Sequence, residues 1–174
     1  MRRVHVIGGP GSGKTTLARR LGDALGVPTC DLDAVAYPAH RKRPGGERRA
    51  EAERIAAGEG WVTEGIYLGW VEPLLERADA IVWLDVPWRV AAWRIATRHL
   101  AASLAGTNEH AGWRRLAAFL AEARRYYAGR RVPAGPEDDG SLSRAATDLA
   151  LGPYRAKVVR CRCLGRGAIP PGIH

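Results

Sequence analysis

Short apolar runs alternate along this chain with longer segments in which apolar residues recur every three or four positions. The runs RVHVI (3–7), VPTC (27–30), WVTEG (61–65), AIVWLD (80–85) and AKVVRCR (156–162) have the length and apolar character of strands covered on both faces of a parallel sheet. After the first run, Leu17, Leu21 and Leu25 line one face of a helix that ends at Gly26, a stop signal that only glycine supplies without strain. ERRAEAERIAAG predicts a second helix closed by Gly58, and Pro87 suits the first turn of a third. That third helix carries Val90, Trp93, Ala96, Leu100 and Leu104 at helical spacing. A fourth, from about Glu109 to Ala128, carries Trp113, Leu116, Leu120 and Tyr127, and a short one spans Leu142 to Leu151.

Segments 34–46 and 129–140 are turn-rich and basic or polar, as surface loops are. With no internal repeat, strand–helix alternation predicts an α/β fold with a parallel sheet. The 174 residues, 46% hydrophobic, fit a single domain over 1–174. The six tryptophans are expected mainly in the core, with Trp70 and Trp88 able to border a ligand.

Composition narrows the classes. The apolar start of the chain is too short for a signal segment, and no run is long enough to cross a membrane. Three cysteines, two of them in a C-x-C beside the last strand, make neither a disulfide framework nor a four-ligand zinc site. The expectation is a cytoplasmic protein without a membrane partner, monomeric or homodimeric. The net charge of +9 is carried almost wholly by arginine, spread along the chain, with lysine only at 14, 42 and 157. Diffuse arginine is most simply a solvated surface; a nucleic-acid partner is the less favoured alternative. A lysine at position 14 in so arginine-rich a chain is more telling, because a compact ammonium suits a phosphate better there than a planar fork.

That lysine lies in GGPGSGKTT, residues 8–16, between the first strand and the first helix. Gly8, Gly13, Lys14 and Thr15 satisfy G-x-x-x-x-G-K-[ST] in the context the motif requires. Glycines let successive amide hydrogens converge on an anion, and the helix N-terminus adds partial positive charge. The spacing predicts a nucleoside-triphosphate site built by Gly9, Gly11, Ser12, Gly13, Lys14, Thr15 and Thr16, with Lys14 on the β- and γ-phosphates and Thr15 on magnesium.

Magnesium in such sites takes a further carboxylate from a nearby strand end. Glu64 in WVTEG and Asp85 in IVWLD are the two candidates. The apolar run favours Asp85; adjacency of the third strand to the first would favour Glu64, which is preferred. The alternative for Asp85 is capping of the helix at Pro87. Asp31 and Asp33 close the second strand, on the side where open α/β sheets bind ligands. Asp33 is the candidate to orient an acceptor hydroxyl or take its proton, against the simpler reading of both as turn residues.

The stretches GGPGSGKTTLARRL, VPTCDLDAVAYP, GWVTEGIYLG, RADAIVWLDVPWRVAAWRIATRH and NEHAGWRRL together resemble the adenylate-kinase-related P-loop proteins, most closely the group known as DNA topology modulation proteins. The likeness covers residues 1 to about 128. It implies a five-stranded parallel sheet flanked by helices, a lid at roughly 100–112, an acceptor-binding insertion at 34–60, and transfer of the γ-phosphoryl of ATP, with Mg2+, to a small molecule. It further implies that Arg94 and Arg98 face the phosphates and that Arg166, in the loop after the last strand, borders the base. Arg124 and Arg125 are candidates to join them. Arg41, Lys42, Arg43, Arg48 and Arg49 in the insertion are candidates to grip an anionic acceptor. The chain departs from the group in the glutamate of TEG, the isoleucine that follows it, and the lack of a terminal helix.

Overall fold

The computed structural model describes residues 1–106, 112–129, 138, 142–162, 169–170 and 172–173. Five strands form one all-parallel sheet in the order β2-β3-β1-β4-β5. They are β1 (Arg3–Gly8), β2 (Thr29–Asp31), β3 (Trp61–Gly65), β4 (Ala80–Leu84) and β5 (Val158–Cys161). All fall inside the apolar runs of the sequence, except that β1 extends by Gly8 and β2 by Asp31. The architecture is that of a P-loop NTPase-like fold, with β1 at the centre and β3 and β4 on its two sides.

Strand residues alternate between two cores, because successive side chains leave a strand on opposite faces. Val4, Val6, Val62, Val82 and Leu84 pack with Leu17, Ala18 and Leu21 of helix α1 (Lys14–Leu25). Ile7, Trp61, Ile81 and Trp83 pack on the other face against α2 (Leu32–Ala36), α3 (Gly45–Ala56) and α4 (Glu72–Arg77). Trp70 is fully buried there, so it belongs to the core and does not border a ligand. The sequence pattern missed α2 and α4, which are five and six residues long, less than two turns and too short to display a 3.6-residue period.

The remaining helices are α5 (Trp88–Leu104), α6 (Trp113–Ala128) and α7 (Arg144–Ala150). On α5 the expected core face is wrong: Ala91 and Ile95 are buried, whereas Trp93, Leu100 and Leu104 are 57%, 50% and 82% exposed. Trp113 on α6 is likewise exposed, at 79%. Ile95, Leu116 and Ala123 form a small separate cluster between α5 and α6. Among the described residues no helix is long and apolar enough to cross a membrane.

Candidate active site

At the end of β1 the chain turns through Gly9–Gly13, closed by a hydrogen bond from the Ser12 amide to the Gly9 carbonyl at 3.1 Å. Gly11 and Gly13 have φ of 76° and 94°, a region that costs any residue with a Cβ. Gly13 caps α1 with no side chain over the helix end, which leaves the first amides open to an anion. The buried Ser12 Oγ has no partner.

Two long side chains brace this loop from the outside. Arg94 donates from Nη1 to the Ser12 carbonyl at 2.6 Å, and Tyr127 donates its hydroxyl to the Pro10 carbonyl at 2.8 Å. Tyr127 also meets Trp88 and Tyr126, with ring centroids 5.4 and 5.1 Å away. Gly9 lies so close to these rings that a Cβ there would come within 2.9 Å of Tyr127 Cζ. Burial pushes the Tyr127 phenol well above its ordinary range, so it acts as a hydrogen-bond donor at any working pH. Arg98, four residues beyond Arg94, is exposed. Arg124 is exposed as well, and Arg125 pairs with Glu122 at 2.6 Å. Arg166 lies outside the described residues, as does Cys163 of the C-x-C.

The two strand-end acids have opposite fates. Glu64 stands opposite Val6 of β1 and Asp31 of β2, two residues on from Val62 and so on the α1 side of the sheet. It is 3% exposed and its Oε2 has no partner. Burial raises its carboxyl above the usual range, opposed by a hydrogen bond from Thr15 and the charge of Lys14. Asp85 follows Trp83 by two and is also 3% exposed, but it is saturated. Arg144 reaches both of its oxygens, at 2.6 and 2.8 Å, and Arg160 donates to Oδ2 at 2.8 Å. Arg160 in turn lies over the Trp83 ring, 4.2 Å from its centroid. Among the described residues no group of three or more His, Cys, Asp or Glu side chains is arranged to hold a metal ion.

On the β2 side, Asp31 caps α2 and accepts the Asp33 amide at 2.8 Å, the turn chemistry its sequence position suggested. Asp33 is exposed, with Oδ1 held by the Tyr67 hydroxyl at 2.9 Å. Of the insertion's cations, Arg48 is fully buried, 5.8 Å from the Trp70 ring centroid. Arg49 pairs with Glu53 and Glu72 at 3.2 and 3.1 Å. Tyr67, Tyr127, Arg144 and Arg160 carried no site role in the sequence. Tyr67 had the best signal, an aromatic three residues past Glu64 in an otherwise quoted motif.

No protein-family model and no curated protein sequence matches the chain. Among solved structures it is similar to a sugar kinase from Janibacter sp. HTCC2649, at 24% identity over 65% of this chain and 80% of that one, with a TM-score of 0.42. It is similar to a shikimate kinase from Bacteroides thetaiotaomicron, at 19% identity over 85% and 96%, TM-score 0.48. A gluconokinase from Sinorhizobium meliloti 1021 matches at 22% identity over 89% and 97%, TM-score 0.43. Likeness of this order transfers neither an activity nor an acceptor, so the functional reading rests on the residues of the site.

Proposed function

We propose that the chain is a small-molecule kinase that transfers the γ-phosphoryl group of ATP, with Mg2+, to a hydroxyl of a small acceptor. One observation carries the reading: Glu64, a buried carboxyl with an unpartnered oxygen, sits beside Thr15 and Lys14 at the mouth of a glycine loop whose sequence is G-x-x-x-x-G-K-T. A buried orphan acid is costly unless a ligand completes it. A hydroxyl and a carboxylate beside phosphates are what magnesium takes.

In this reading the amides of Gly9 to Thr16 cradle the phosphates, and Lys14 follows the β- and γ-oxygens. Thr15 and Glu64 would hold the metal, which when bound would supply positive charge to offset that of the phosphates. Asp85, already neutralised by Arg144 and Arg160, ties β4 to α7 and β5 and takes no metal. Arg94 exchanges the Ser12 carbonyl for the transferring group, and Arg98, one turn further along α5, joins it there; of the lid expected at about 100–112, residues 107–111 lie outside the described residues. Asp33, aimed by Tyr67, orients the acceptor hydroxyl. The hydroxyl oxygen bonds to the γ-phosphorus as the bridging P–O bond breaks, ADP leaves, and the proton passes to the Asp33 carboxylate. The 34–60 segment serves as the acceptor side of a single domain, and Arg166 as the neighbour of the base, in keeping with the motif resemblance to adenylate-kinase-related proteins.

The test is product formation. Purified protein with Mg-ATP and a panel of nucleosides, nucleotides, sugars and acids is expected to release ADP with at least one acceptor; silence across the panel counts against the proposal.

A second reading, a nucleotide-dependent nucleic-acid-binding or regulatory protein, draws on one observation. Between Trp88 and Ala128 there are seven arginines against two acidic residues, Glu109 and Glu122, beside the exposed Trp93 and Trp113. Duplex or single-strand binding that weakens steeply with salt would support it.

A further inference from the structure

The acceptor side carries its own chemical signature. Asp31 stands opposite Glu64 in the register of β2 and β3, and the Asp33 amide donates to Asp31 Oδ1 at 2.8 Å, so three acidic residues gather at the ends of these two strands. Two of them, Asp31 and Asp33, are exposed; the third, Glu64, is buried with an oxygen that no described residue satisfies.

Two of the five cations the sequence offered for an anionic acceptor are engaged elsewhere. Arg48 is buried against Trp70; Trp70 lies 5.0 Å from Tyr67, centroid to centroid; and Tyr67 donates to Asp33 at 2.9 Å. Arg48 therefore supports the aromatic pair that aims Asp33 and does not grip a ligand. Arg49 is held by Glu53 and Glu72. Arg41 and Lys42 follow the left-handed pair Ala39 and His40 on an exposed loop.

Resting on the phosphotransfer reading above, we infer that the acceptor is an uncharged, hydroxyl-bearing small molecule, a polyol, sugar or nucleoside, and not one that already carries a phosphate. A phosphate brought beside Asp31 and Asp33 would face like charge, which works against binding. A neutral hydroxyl would donate to Asp33 and find its proton's destination already oriented. Its oxygen attacks the γ-phosphorus, the β,γ-bridging bond breaks to release ADP, and the proton ends on Asp33.

Two assays decide the matter. The first compares ADP release with neutral polyols, sugars and nucleosides against release with their own monophosphates. A preference of at least about tenfold in kcat/KM for a neutral member is expected, and Asp33→Asn is expected to lower kcat about 100-fold with little change in KM. The double variant Arg41→Ala/Lys42→Ala is expected to leave the acceptor KM within about threefold. The second compares the affinity of ATP with that of diadenosine pentaphosphate, which fills a nucleotide site and an adjoining nucleotide-monophosphate site together; equal affinity is expected. Preference for a monophosphate, or diadenosine pentaphosphate binding far more tightly than ATP, overturns the inference while the phosphotransfer reading stands. ADP from neither acceptor set, with Mg-ATP bound, counts against the phosphotransfer reading and removes this inference with it.

Discussion

Strands β3 and β4 flank β1 on its two sides, and each has a buried acid beside its last residue, yet the two acids do opposite things. Asp85 is matched by two guanidiniums that arrive from α7 and β5, so its burial is compensated within the fold. Glu64 is buried without such a partner, next to a hydroxyl and a lysine. The difference follows from strand parity: Glu64 lies on the face of the sheet that carries α1 and its loop, Asp85 on the face of Trp83. Buried charge that is already paired builds structure; buried charge left unpaired is held for a ligand.

The largest expected effect comes from the glycine loop itself. Lys14→Ala is expected to lower kcat by about 10³-fold, as loss of a transition-state donor does, with the melting temperature unchanged; steady-state ADP release and a thermal melt check both. Next is Glu64→Gln, expected to cost about 10²-fold in kcat and to weaken the response to Mg2+. Because burial raises the Glu64 carboxyl, its charge destabilises the free protein as pH rises through that elevated value. The Gln variant is therefore expected to melt above the wild type near pH 7.

The opposite face of β3 supplies an acid-side prediction. His5 is fully buried, with Nδ1 2.8 Å from Thr63 Oγ1, and burial lowers it from 6.5 to about 4. The unfolded chain binds that proton more readily, so stability from neutral His5 is present above about pH 6.5 and is lost as pH falls towards 4. The loss reaches up to about 3 kcal/mol. Urea denaturation across that range is expected to show the slope in the wild type and its removal in His5→Gln.

Asp85→Asn is expected to lower stability by about 2 kcal/mol, roughly 4–8 °C in Tm, since the two arginines it strands are partly solvated and regain water. Its magnesium dependence is expected to match the wild type. Smallest is Tyr127→Phe, which removes one hydrogen bond to Pro10 and is expected to raise the KM for ATP about fivefold with little change in Tm.

Much of this arrangement is legible in the sequence, and where it is not the reason is physical. The five strands, the glycine loop and the leucine face of α1 all show, because each depends on residues close together in the chain. The neutralisation of Asp85 does not show, since Arg144 and Arg160 lie 59 and 75 residues away and one sits inside an apolar strand. Arg48 misleads for a related reason: in a basic segment it reads as a ligand group, and only the packing of Trp70 shows that it belongs to the core. The face of α5 misleads too, because apolar spacing says which residues share a side and not whether anything covers it. Trp93, Leu100 and Leu104 do share a side, and it faces outward.

In the proposed site Glu64, and not Asp85, completes the metal-binding set. Magnesium titration of ATP binding by calorimetry, in the wild type, Glu64→Gln and Asp85→Asn, tests it most directly. Magnesium is expected to strengthen ATP binding in the wild type and in Asp85→Asn and to have little effect in Glu64→Gln. Loss of the magnesium response in Asp85→Asn, with Glu64→Gln behaving as the wild type, would contradict it.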